Sequence, residues 1–232
     1  MSEDLIKDLA ELKELALSGE LALGVGETIY MTFFSALLAY LIGLPLGVLL
    51  YYTGKNGIKP IGWINKPLGF IINVFRSLPF LILLVLIIPF AKAIVGKSFG
   101  IGVMIVALII AAAPYVARMV ESALNEVDKG VIEAAQSMGV SPLGLVFKVL
   151  LAESVPSLIT GAVISTVTIL GYSAMADTVA GGGLGKLAVI DGHAFGNKPI
   201  IWVCVVLTVI IVQIIQECGG LIARKIDKRI KN

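Results

Sequence analysis

The sequence predicts an all-α, polytopic membrane protein with five transmembrane helices and one long polar loop on the cytoplasmic side. Of the 232 residues, 58% are apolar and only 15% are charged, and the mean hydropathy is +0.98. A soluble domain carries charge on about a quarter of its residues. The net charge of +2 is not gathered into one basic stretch, so no nucleic-acid partner is indicated.

Five apolar stretches are long enough to cross a bilayer, whose core of about 30 Å needs about 20 helical residues. They are helical because an unpaired backbone group in lipid costs several kcal/mol. The first contains Gly43-Leu-Pro-Leu-Gly47, which allows close helix approach. Pro79 and Pro89 interrupt the second stretch, and Pro114 interrupts the third. The stretches lie at about 24–52, 68–91, 99–117, 154–176 and 199–222.

The basic residues choose the orientation of these spans. Twelve of the 18 Lys and Arg residues lie in the loops after spans one and three, at their borders, and in the C-terminal tail, and six lie on the other side. This places the N-terminus outside and the C-terminus in the cytoplasm. The predicted segments are an extracytoplasmic part over 1–22 with an amphipathic helix over 2–17, a transmembrane domain over 23–225, and a basic cytoplasmic tail over 226–232.

Only a few polar residues in or near the predicted spans are candidates for a role in transport or catalysis. Arg76 either snorkels to the surface, forms a structural pair, or acts in transport. Spans two to four hold no clearly central Asp, Glu or His, so an ion-coupled carrier is disfavoured. The run Gly181-Gly-Gly-Leu-Gly-Lys186 fails the spacing of a nucleotide-binding P-loop. His193 is the only histidine, and we predict no metal site and no cofactor.

The end of span four carries small hydroxyls and a tyrosine. Helical spacing puts Thr168, Tyr172 and Met175 on one side, and Thr166 and Ser173 on another. These side chains could hydrogen-bond a polar solute, with Met175 as a soft plug. Alternatively, the hydroxyls bond their own helix and Tyr172 lies at the membrane interface.

The sequence of the polar loop at about 118–153 predicts two short helices. Asp128 can cap the first, which stops at Gly139, a residue suited to a left-handed turn. Ser141 caps a second helix that has Pro142 at its first position. A helix–glycine–helix of this kind fits a groove of another protein. The alternative is an ordinary helical hairpin.

This loop resembles the EAA signature of binding-protein-dependent ABC permeases. The residues that carry the resemblance are Glu133-Ala134-Ala135, Gly139, Val149 and Leu151. Ala152 stands where the signature ends in proline, and Pro156 is the nearest proline. The entry to span four is therefore expected to differ from the usual pattern.

Four further segments are similar to the methionine-uptake permeases of that superfamily, and the similarity covers about residues 24–225. They are Phe75-Arg-Ser-Leu-Pro-Phe80, Ala113-Pro-Tyr-Val-Ala-Arg-Met-Val-Glu121, Gly171-Tyr-Ser-Ala-Met175 and Ala180-Gly-Gly-Gly-Leu-Gly185. The resemblance implies the permease subunit of an importer for methionine, in its D and L forms, in a bacterial cell membrane. The alternatives are a permease for another amino acid or small solute, an ion-coupled carrier, and a membrane scaffold without transport.

The resemblance also implies partners and roles. The permease would not be an enzyme, because ATP would be hydrolysed by two copies of a separate ATP-binding subunit. It would form a homodimer in membrane lipid, and a substrate-binding lipoprotein would dock outside, against the loop at 177–198. Tyr172, Ser173 and Met175 would line or gate the pathway. The residues expected to couple to the ATPase are Glu133, Ala134, Ala135, Met138 and Gly139.

Overall fold

The fold is that of a computed structural model, which describes Lys13, residues 17–180 and residues 182–227. All regular elements in this part of the chain are helical. The predicted helix at 2–17 and the tail beyond Asp227 fall almost entirely outside it. The elements are α1 (Glu20–Thr53), α2 (Gly62–Ser77), α3 (Phe80–Val95), α4 (Ile101–Asn125), α5 (Lys129–Ser137), α6 (Pro142–Gly144), a π-helical segment (Leu145–Leu150), α7 (Leu151–Glu153), α8 (Val155–Ala180), α9 (Gly183–Lys186), a second π-helical segment (Leu187–Ala194) and α10 (Lys198–Ile226).

Four of the described helices are long and apolar enough to cross a membrane, namely α1, α4, α8 and α10. A fifth span of that length exists only if α2 and α3 are taken together across the break between them. The prediction of an all-α protein that crosses the membrane several times is confirmed.

The second predicted span, 68–91, is not one continuous helix. It breaks at Leu78 and Pro79, where Leu78 is extended with φ −79° and ψ 129°. A residue before proline is pushed out of the helical region by a clash with the proline ring, which explains the break. Pro89 and Pro114, in contrast, lie inside continuous helices, so the prediction that they interrupt their spans was wrong.

The third predicted span ends too early. The sequence placed its end at residue 117, whereas α4 runs on to Asn125. Hydropathy detects only the apolar part of a helix, and the polar last two turns belong to the same element. The loop between the third and fourth spanning helices is therefore shorter than the predicted 118–153.

The chain divides into two compact units. The first consists of the chain start through Ala36, Phe80–Ile109 and Thr166–Ile215. Its core joins the end of the fourth spanning helix, the segment that follows it, and the last helix. The buried residues of this core cluster are Leu170, Leu184, Leu187, Ile200, Cys204 and Ile211.

The second unit consists of Leu37–Pro79, Ile110–Ser165 and the chain from Gln216 onwards. Two glycines of α1 let α4 approach closely within this unit. A Cβ on Gly43 would lie 2.6 Å from Val116 Cγ1, and one on Gly47 would lie 2.5 Å from the Ala117 carbonyl oxygen. The glycine pair thus acts as the small-residue contact that the sequence predicted.

Candidate coupling and pathway sites

The polar loop folds into a capped hairpin in the second unit, which we call the coupling hairpin (129–153). Asp128 caps its first helix, since its Oδ1 accepts a hydrogen bond of 2.7 Å from the Gly130 N–H. This is the cap that the sequence predicted. A carboxylate at this position also interacts favourably with the positive end of the helix dipole.

Gly139 ends the first helix with a left-handed turn. Its φ is +76°, a conformation that glycine adopts without steric cost. The Gly139 N–H donates to the Gln136 carbonyl (2.9 Å), and the Val140 N–H donates to the Ala135 carbonyl (3.2 Å). These two bonds form a Schellman motif, which satisfies the last carbonyls of the helix. The prediction for Gly139 is confirmed.

The second helix of the hairpin is less regular than predicted. Ser141 accepts a hydrogen bond of 3.2 Å from the Gly144 N–H, and Pro142 occupies the first position, as expected. After three α-helical residues, however, the chain widens into the π-helical segment Leu145–Leu150 before α7. The hairpin therefore keeps its predicted cap but not a uniform second helix.

The departure from the signature at Ala152 has a structural counterpart at Ser154. The chain breaks there between α7 and α8, and Ser154 Oγ donates to the Leu150 carbonyl at 2.7 Å. Pro156 then lies in the first turn of α8, where its missing N–H would have had no partner anyway. The entry to the fourth spanning helix is thus shaped by Ser154 and Pro156.

Most of the predicted coupling residues lie on the outer face of the hairpin. Glu133, Ala134, Met138 and Gly139 are exposed, and Met138 exposes 77% of its surface. Ala135 is only 4% exposed and packs into the protein. Sequence reasoning missed further apolar side chains on the exposed hairpin surface, and two of these are the most exposed. These are Leu143 and Phe147.

An arginine on α4 joins α2 to α4 within the second unit. Arg118 Nη1 lies 2.6 Å from Glu121 Oε2. Its Nη2 donates to Asn73 Oδ1 (3.0 Å) and to the Gly69 carbonyl (3.2 Å). Arg76, which the sequence singled out instead, is exposed in the last turn of α2 and has no ion pair with another described residue.

A polar cleft of about 380 Å³ lies between the hairpin and the loop after α1. Asn56, Gly57 and Ile58 line one side, and Glu133 and Gln136 line the other. The first loop and the hairpin therefore belong to the same face of the second unit.

The predicted pathway residues lie in the first unit, where they have different environments. Tyr172 stacks on Phe80 with ring centroids 4.7 Å apart and an interplanar angle of 2°. Ser173 is buried, and its Oγ donates to the Leu170 carbonyl of its own helix at 2.8 Å. Met175 is exposed. The structure therefore favours the self-bonded alternative for Ser173, while Tyr172 and Met175 keep surface that a solute could reach.

A carboxylate on α1 anchors the glycine run, and the sequence did not reveal it. Glu27 Oε2 accepts a hydrogen bond of 2.6 Å from the Gly183 N–H. Thr28 Oγ1 accepts one of 2.9 Å from the Leu184 N–H. Gly182 lets the loop approach, because a Cβ there would lie 3.3 Å from Glu27 Oε2. The run is thus a packed junction between α1 and α9.

The described helices and the hairpin define an all-α, polytopic membrane protein with an exposed polar hairpin. The chain belongs to the family of binding-protein-dependent transport system inner membrane components, whose model matches residues 43–232. The family expectation from the hairpin is confirmed.

Individual relatives in this family, and one solved structure, are named for methionine transport. The probable D-methionine transport system permease protein MetI of Vibrio cholerae is 45% identical over 215 residues, which cover 92% of this chain and 96% of the relative. The methionine import system permease protein MetP of Bacillus subtilis is 45% identical over 203 residues, covering 88% and 91%. A solved structure of the MetNI methionine ABC transporter in an inward facing conformation matches with a TM-score of 0.88 at 42% identity, over 98% of this chain and all of that chain.

Proposed function

We propose that this chain is the permease subunit of an ATP-driven importer and forms the translocation pathway for methionine, in both its D and L forms. The observation that carries the proposal is the coupling hairpin, a capped, exposed helix with a left-handed end at Gly139. Relatives that are named methionine permeases and cover nearly the whole chain support the substrate.

The energy comes from a separate ATP-binding subunit, two copies of which bind a permease dimer. The docking surface is the exposed side of the hairpin, where Met138, Leu143 and Phe147 offer apolar contact and Glu133 offers charge. Large apolar side chains on a polar loop outside the spans are typical of protein interfaces. Ala135 is buried and packs the first helix of the hairpin against the permease itself. A movement of the hairpin is therefore transmitted to the part of the permease that it contacts.

The hairpin lies in the cytoplasm, with the N-terminus outside and the C-terminus inside. The support is the excess of Lys and Arg on that side. The loop at 177–198 then faces outward, where a substrate-binding lipoprotein docks. Within that loop, the hydrogen bond from Gly183 to Glu27 holds the chain against α1, so the docking surface is preformed.

Tyr172 and Met175 contribute to the pathway or its gate. Tyr172 is fixed by its stack on Phe80, and the thioether of Met175 is soft and adaptable. Ser173 supports this region by closing a hydrogen bond within its own helix and does not contact solute.

The test is uptake of labelled methionine into proteoliposomes that hold the full chain, an ATPase subunit and the lipoprotein. We expect uptake only with ATP inside and the lipoprotein outside, with D- and L-methionine competing and unrelated amino acids not competing. Uptake by the chain alone under a proton or sodium gradient would identify an ion-coupled carrier instead. ATP-driven uptake of a different amino acid would leave the importer intact and overturn the methionine assignment.

A further inference from the structure

Helix α2 (Gly62–Ser77) packs against the last turns of α1. Asn65 Nδ2 donates to the Leu50 carbonyl at 2.8 Å. A Cβ on Gly69 would lie 3.9 Å from Leu50 Cδ2, and Ile72 shares a buried cluster with Leu50. The Asn65 amide also donates to Thr53 Oγ1 at 3.2 Å, so the first turns of α2 lie beside the last turn of α1.

Helix α2 also contacts α4. Arg118 binds α2 at two successive turns, through the Gly69 carbonyl and the Asn73 side chain. Arg118 lies about two turns before the end of α4 at Asn125. Helix α2 therefore packs against the terminal turns of both helices, at the side of the unit that carries the coupling hairpin.

The exposed side of α2 has two sectors. At 100° per residue, one sector is apolar and the neighbouring one is polar. Trp63 is 79% exposed, and tryptophan is enriched at the interface between membrane and water. The apolar sector is Trp63, Pro67, Phe70, Ile71 and Val74, and the polar edge is Lys66, Asn73 and Ser77. A helix at mid-bilayer would be apolar on its whole exposed side, whereas one in the interface shows this division.

The charge around α2 is of one sign. Lys55 and Lys59 in the preceding loop and Lys66 and Arg76 in the helix are all exposed. No Asp or Glu occurs from residue 54 to residue 79. A basic rim beside an apolar stripe complements phospholipid with anionic headgroups, to which each Lys or Arg near the surface contributes about 1 kcal/mol.

We propose that α2 is an interfacial helix that embeds its apolar sector in the lipid headgroup region, on the side of the coupling hairpin, and binds anionic phospholipid through its basic rim. Arg118 holds the helix in this position from the protein side. The break at Pro79 then separates the interfacial helix from α3, and α3 makes the fifth crossing by itself. The proposal rests on the membrane fold and is independent of the transported solute.

The test uses native fluorescence, because the sequence has only two tryptophans, Trp63 and Trp202. The Trp202→Phe variant of the full chain, in complex with its ATPase subunit, is reconstituted in vesicles whose acyl chains are brominated either near the headgroup or near the terminal methyl group. We expect Trp63 to be quenched more by the shallow bromines. Stronger quenching by the deep bromines would mean that α2 spans the membrane, and no quenching would mean that a second copy or the pathway covers it. Either result overturns the proposal, and the Trp63→Phe variant reports on the lipid-exposed Trp202 as the control.

A second arm tests the charge. Shallow-brominated phosphatidylglycerol should quench Trp63 about twofold more than shallow-brominated phosphatidylcholine at the same fraction in the membrane. Lys66→Gln should reduce this difference without changing the preference for shallow bromines. Equal quenching by the two lipids would overturn the anionic-lipid site.

Discussion

Replacing Gly139 with valine tests the turn that ends the coupling helix. The residue has φ +76°, and a Cβ there would meet nothing within 4 Å, so the cost is confined to the backbone. A left-handed conformation costs an L-residue about 1–2 kcal/mol, and more for a β-branched one. If the turn relaxes to avoid this cost, the hairpin with correct geometry becomes roughly 5- to 30-fold less populated.

The expected result is a loss of coupling rather than a loss of folding. In proteoliposomes with the ATPase subunit and the lipoprotein, ATP-driven uptake should fall by roughly 5- to 30-fold in proportion to the lost population. Binding of the ATPase subunit should weaken by a similar factor. Gly139→Asn should retain more uptake and more binding of the ATPase subunit than Gly139→Val, because asparagine tolerates the left-handed region.

The control is a glycine that has the same left-handed backbone conformation elsewhere in the chain. Gly96 follows α3, has φ +77°, and also has open space around its Cβ position. Gly96→Val should cost similar stability and leave binding of the ATPase subunit unchanged. Intact transport and ATPase binding in Gly139→Val, or equal losses in the two variants, would refute the reasoning.

Two other predictions concern close contacts within the units. Gly47→Ala should destabilise the protein by about 1–3 kcal/mol, since its Cβ would lie 2.5 Å from the Ala117 carbonyl oxygen. The control is Gly171→Ala, which should be neutral or slightly stabilising because a Cβ there would have nothing within 4 Å. Thermal unfolding in detergent measures both variants, and equal midpoints would contradict the packing argument. Glu27→Ala should leave the Gly183 N–H without its acceptor, at a cost of about 1–3 kcal/mol, and should speed hydrogen exchange of that amide. Glu27→Gln keeps an acceptor oxygen and should retain most of the protection of the amide from exchange. Unchanged exchange in the alanine variant would show that the hydrogen bond contributes nothing to stability.

Local signals in the sequence predicted the coupling hairpin well. The caps at Asp128 and Ser141 and the turn at Gly139 each depend on neighbours within a few residues. Such interactions are encoded where they act, so the residue type is enough to predict them. The π-helical segment after Gly144 had no comparable signal, because its sequence reads as an ordinary amphipathic helix.

Contacts over long sequence separations were not predictable. Glu27 lies near the start of the first span, and its partner Gly183 is 156 residues away. The apolar run at 68–91 concealed the break at Pro79, because hydropathy averages composition and is insensitive to backbone direction. Ser173 shows a further limit, since spacing alone cannot tell a hydroxyl that bonds its own helix from one that faces a solute.

Site-specific crosslinking tests most directly whether the coupling hairpin receives the ATPase subunit. After replacement of the native Cys204 and Cys218, a single cysteine is placed at Met138 or at Phe99, which are 77% and 63% exposed. Phe99 follows α3, away from the hairpin in the sequence. With a short bifunctional reagent and the reconstituted complex, Met138→Cys should crosslink to the ATPase subunit in a manner that changes with bound ATP, and Phe99→Cys should not. Crosslinking of Phe99→Cys alone, or of neither variant in an assembled and active complex, would contradict the account.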